Sequence, residues 1–80
     1  MRLDKYLKNS RIIKRRTVAK EACESGRVYI NQKQAKPGTE VNVGDILEIR
    51  FGDRVLQAEI TEIADHVMKD QAKEMFRIIE

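Results

Sequence analysis

Eighty residues, 41% of them hydrophobic and 36% charged, make one domain with a thin core, since a chain of this size buries only about 60 to 65% of its unfolded surface. The single cysteine, Cys23, excludes an internal disulfide, and no apolar run approaches the length of a membrane span, so the chain reads as cytoplasmic, with no membrane partner. The net charge of +3 hides an asymmetry: residues 1–36 carry eleven Lys and Arg against three acids, or +8, while residues 37–80 carry five against ten, or −5.

The first predicted element lies in RLDKYLKNS, where Leu3, Tyr6 and Leu7 fall on one face of a short helix that Asn9 and Ser10 end. Arg11 to Arg16 form a connector with Ile12 and Ile13 turned inward. Thr17 is the predicted N-cap of a second helix, although Lys20 stands where a capping box would want Glu or Gln. Val18, Ala19, Ala22 and Cys23 give that helix a face of small side chains, and Gly26 stands where a left-handed C-cap residue belongs. Its N-terminal end is crowded by Lys14, Arg15 and Arg16, although like charge at the positive end of a helix costs roughly 0.3 to 1 kcal/mol per residue.

Beyond Gly26 the period becomes that of a strand. Val28 and Ile30 share one side and Tyr29 the other, and Asn31-Gln32 reads as a tight hairpin turn. Pro37-Gly38 and Gly44-Asp45 mark turns. Ile46–Phe51 and Arg54–Ile63 alternate on either side of Gly52-Asp53 and are predicted to pair antiparallel. The remaining segment fits a turn of helix around Asp70 to Met75 followed by an extended end. The fold class is therefore α+β.

Catalysis fails on inventory. There is no phosphate-binding glycine loop, no Cys/His metal set and no nucleophile with its base, so neither an enzyme nor a cofactor nor a metal site is expected. Cys23 reads as a core thiol, His66 as an exposed polar residue, and Tyr6 and Tyr29 as core or half-buried. Nucleic acid suits the charge better. The two helices would bring Arg2 and Lys5 beside Lys14, Arg15, Arg16 and Lys20 at the start of the second helix, where unpaired N–H groups favour an anion. An RNA phosphate there would relieve the crowding, and Arg15 and Arg16 would then contribute nothing to the stability of the free protein. The second helix offers few base-reading side chains, which favours RNA shape and backbone over DNA sequence. A DNA-binding regulatory module on the same face is the alternative from another class, and a protein scaffold with merely solubilising charge is a third.

RLDKYL, then SRIIKRRTVAKEACESGRVYIN, then VNVGDILEIRF resemble, in order and spacing, the S4 domain, a small RNA-binding module; the resemblance is strongest over residues 2–52. It implies a single domain over residues 1–80, with two to three short N-terminal helices packed in an αL arrangement on a small, mostly antiparallel curved sheet. Among stand-alone members the length resembles the RqcP family of ribosome-associated quality-control factors. The fifteen-kilodalton heat-shock class, read as 50S recycling factors, is the nearest alternative. The resemblance implies a monomer that binds large-subunit rRNA and P-site tRNA on the stalled 50S subunit and assists an alanine-tailing quality-control factor. It assigns RNA binding to Arg2, Arg15 and Arg16, and more loosely to Lys5, Arg11, Lys14 and Lys20. Gln32 departs from the pattern, standing where many members have Gly, which leaves the hairpin type open.

Overall fold

A computed structural model, which describes residues 1–79, opens with helices α1 (Leu3–Asn9) and α2 (Arg16–Glu24). Leu3, Tyr6 and Leu7 of α1 are fully buried, as their spacing predicts. The first amides of α1 are satisfied by a distant loop: Leu3 N–H donates to the Thr39 carbonyl at 2.8 Å and Asp4 N–H to that of Pro37 at 3.1 Å. After α1 the chain reverses at Arg11, whose φ of 61° is left-handed.

Helix α2 begins earlier than expected. Arg15, extended at φ −119° and ψ 132°, is its N-cap residue, and no side chain caps it. Thr17 lies inside the first turn, because Arg16 is already helical and turned towards α1. Ala19 and Cys23 are buried, but Val18 is 46% exposed, since the contact with α1 is too narrow to cover the flank of the face. The helix ends as Gly26 indicates. Its N–H bonds the Cys23 carbonyl and the Arg27 N–H bonds that of Ala22, both at 3.1 Å. At φ 76° Gly26 sits in left-handed backbone that favours glycine, and a Cβ there would lie 2.1 Å from Gln34 Nε2, so that exposed side chain would have to move.

The sheet has five antiparallel strands in the order β2-β1-β3-β4-β5: β1 (Val28–Ile30), β2 (Lys33–Gln34), β3 (Ile46–Phe51), β4 (Arg54–Ile60) and β5 (Phe76–Ile78). Val28, Ile30, Leu47, Ile49 and Ile60 join the helices in one core, while Tyr29, Glu48, Arg50 and Gln57 occupy the opposite face. The α+β architecture is the expected one, although only two helices are N-terminal and the third helical stretch, a 3-10 turn at Ala72–Met75, comes near the other end.

The β1–β2 turn holds both Asn31 (φ 52°) and Gln32 (φ 71°) in left-handed backbone, the pattern of a type I′ turn despite the missing glycine. The Asn31 side chain explains its own presence, accepting from Ile46 N–H at 2.9 Å and donating to Asp45 at 3.1 Å. Strand β4 stops at Ile60 rather than Ile63, because the N–H groups of Thr61 and Glu62 turn to the Met75 carbonyl at 2.9 and 3.2 Å. The helical turn and the extended Phe76–Ile78 follow the expected pattern; Glu80, also expected in the extended end, lies outside the described residues.

Candidate nucleic-acid interface

The early start of α2 sets the electrostatics of the cationic half. Asp4, on the first turn of α1, has a side chain only 3% exposed. Its carboxylate receives Arg2 Nε at 3.2 Å and Nη2 at 3.3 Å, the Lys5 N–H at 2.8 Å, and lies 3.5 Å from Arg16 Nε. Burial pushes this carboxyl up, but the Arg2 and Lys5 hydrogen bonds and the Arg16 charge together outweigh it and hold its pKa below the ordinary value. Arg2 and Arg16, from two separate elements, are thus gathered on one anion while their own side chains stay 55% and 50% exposed. A single carboxylate cannot neutralise two guanidiniums, so a net positive charge faces outward beside the uncapped N–H groups of α2.

The other expected residues divide by position. Lys5 is engaged by Asp65 at 3.0 Å, which ties α1 to the segment after β4. Arg11 and Lys14 line a cleft of about 400 Å³ together with Lys8, Asn9 and residues 65–68. Arg15 and Lys20 are exposed and form no ion pair among the described residues. The structure therefore brings together Arg2 with Arg16, and Arg11 with Lys14, while Arg15 and Lys20 flank Arg16 at the start of α2 without an acidic partner among the described residues.

Arg16 bears on the expectation that it is indifferent to the fold: its Nε lies 3.5 Å from a buried carboxylate whose charge it helps to balance, so the stability of Arg16→Ala becomes a test of that expectation. Asp4 was missed as a participant; the available signal was its place beside Leu3 and Leu7, on the flank of the apolar face of α1. The residues of the cleft outside the expected set, Lys8, Asn9, Asp65, His66, Val67 and Met68, gave no signal, because the cleft is made by segments more than fifty positions apart.

The remaining reactive groups behave as core. Burial, with Asp4 and Glu24 adding to it, pushes the Cys23 thiol up to about 11, so it carries no thiolate at neutral pH. The buried Tyr6 hydroxyl donates to the Met75 carbonyl at 2.7 Å. Tyr29, half-buried, lies under the Arg50 guanidinium at 4.3 Å from the ring centroid. Among the described residues no group of three or more His, Cys, Asp or Glu is placed to hold a metal ion, and no helix is long and apolar enough to cross a membrane.

Comparison with known proteins agrees with this geometry. The family model described as the S4 domain matches residues 1–47. The RQC P-site tRNA stabilizing factor of Listeria monocytogenes is 57% identical over 79 residues, covering 99% of this chain and 86% of that protein. The Bacillus subtilis protein of the same name is 47% identical over 79 residues, covering 99% and 92%. Among solved structures, the trimeric Heat Shock Protein 15 of Vibrio cholerae superposes with a TM-score of 0.90 at 31% identity, covering 99% of this chain and 81% of that one. The chain belongs to the S4 domain family and, at full length, to the group of the RQC P-site tRNA stabilizing factors.

Proposed function

We propose that this protein binds the stalled 50S subunit, touching large-subunit rRNA and P-site peptidyl-tRNA through Arg2, Lys5, Arg11, Lys14, Arg15, Arg16 and Lys20, and so supports a partner that adds C-terminal alanine tails. It acts in the cytoplasm, by binding alone. The observation that carries the reading is the Asp4 carboxylate holding Arg2 and Arg16 half-exposed in fixed geometry, 3.2 and 3.5 Å away. Side chains fixed before binding lose less entropy when a phosphate arrives, and guanidinium forks match phosphate oxygens in pairs. RNA is favoured over DNA because α2 exposes Lys20, Glu21 and Glu24 rather than a row of base-reading amides.

The test is co-sedimentation with large subunits carrying peptidyl-tRNA on sucrose gradients. Arg2→Ala and Arg16→Ala should each remove the protein from the subunit peak while circular dichroism shows the fold retained. Undiminished co-sedimentation of both would end the proposal. The likeness to Heat Shock Protein 15 supports a second reading as a 50S recycling factor. That reading requires stalled chains, tailed or not, to persist on large subunits when the protein is depleted, whereas the first requires selective loss of the tails.

A further inference from the structure

The cleft beside α1 has two walls of different chemistry. One carries Lys8, Arg11 and Lys14, none of which pairs with an acid among the described residues. The other carries Val67 and Met68, with His66 next to them; Met68 is 68% exposed, an apolar side chain the core does not use. Asp65, the one acid of the lining, is turned to Lys5 at 3.0 Å. The Asn9 amide fastens this wall to α1 by donating to the carbonyls of Ala64 at 3.1 Å and Asp65 at 3.2 Å. A second, independent sign is the backbone of Arg11. Its φ of 61° would suit Gly or Asn, so the chain keeps a long cation at a strained position facing the cleft.

A cationic side, together with a second side that offers the Met68 thioether chain and the His66 imidazole, matches a group that is anionic at one end and flat at the other. A volume of about 400 Å³ suits something of nucleotide size. Bases stacked within a duplex cannot enter such a cleft, whereas an unstacked one can lie against an aliphatic or imidazole surface. We propose that the cleft receives one unstacked nucleotide of the bound RNA, its phosphate on Lys8, Arg11 and Lys14 and its base between Met68, Val67 and His66. The inference rests on the RNA-binding reading above and adds to it a preference for RNA with an unpaired nucleotide.

Two RNA hairpins, identical except for one bulged adenosine, would be titrated with the full chain at fixed salt and followed by fluorescence anisotropy. The bulged hairpin should bind about five- to tenfold more tightly. Met68→Ala should abolish that difference without changing affinity for the fully paired hairpin, and Arg11→Gly should also abolish it, with thermal unfolding confirming that both variants are folded. Equal, salt-sensitive binding of the two hairpins would overturn the cleft assignment while leaving the RNA-binding reading intact, as would a preference that survives both substitutions. Displacement of the bulged hairpin by micromolar adenosine monophosphate would instead make the cleft a small-molecule site and equally overturn the assignment. Binding of neither hairpin at low salt would overturn the RNA-binding reading and this one with it.

Discussion

Asp4 works against its own burial: a carboxylate 3% exposed is kept ionised by Arg2, Arg16 and the Lys5 amide. Its folded pKa lies below the ordinary 3.8, so its contribution to stability is complete above that pH and is lost as the pH falls through the folded value. Urea unfolding of the wild type should therefore weaken as pH drops below about 4, and Asp4→Asn should make that acid limb shallower while costing about 1 to 2 kcal/mol at pH 7. The same contact separates two neighbours in the sequence. Arg16→Ala should cost about 0.5 to 1 kcal/mol, moderated by its exposure, whereas Arg15→Ala should stay within about 0.5 kcal/mol of wild type. Equal effects of the two substitutions would show that Arg16 does not serve the fold. That the charge was there could be read in the sequence. That Arg16 rather than Arg15 would meet Asp4 could not, because it depends on where α2 starts, and tertiary contact with α1 decides that.

At the scale of elements, the β1–β2 hairpin is built on a compromise. Gln32 occupies a left-handed position, φ 71°, that costs a side-chain-bearing residue roughly 1 kcal/mol or more. Gln32→Gly relieves this but loosens the unfolded chain, so the net gain should be up to about 1 kcal/mol, measured as a higher urea midpoint. A loss instead would mean that the Gln32 side chain itself supports the turn. Asn31, Gly26 and Gly52 announced their turns, and the alternation in β1, β3 and the first part of β4 announced their strands, because these signals are local. The end of β4, the exposure of Val18 and the uncapped start of α2 were not legible. Each is set by a segment distant in sequence: Met75 draws Thr61 and Glu62 away from the strand, and α1 covers only part of α2.

For the molecule as a whole, the division of charge into +8 and −5 halves is mirrored in the elements, with eight of the sixteen Lys and Arg (Arg2, Lys5, Lys8, Arg11, Lys14, Arg15, Arg16 and Lys20) on α1, α2 and their flanks and most acids on the later strands and loops. If the basic face neutralises about five or six phosphates, affinity for large-subunit RNA fragments should fall with salt at a log-log slope near −4 to −5. Arg15→Ala should reduce that slope by about one; an unchanged slope would remove Arg15 from the interface. Duplex DNA of equal length should compete poorly. The cleft was the least legible part of the surface, since its two walls come from residues 8–14 and 65–68 and neither is remarkable alone.

The bond from the Tyr6 hydroxyl to the Met75 carbonyl joins positions 69 apart in the chain. Helix α1 is among the first segments made, yet its buried tyrosine finds a partner only when residue 75 has been synthesised, and Asp65 reaches Lys5 only slightly sooner. Contacts of such separation form late in folding. While the chain is still being translated, α1, and with it Arg2 and Asp4, therefore lacks its late tie to Met75, and on the ribosome-binding reading proposed above a half-made copy should be the poorer ligand.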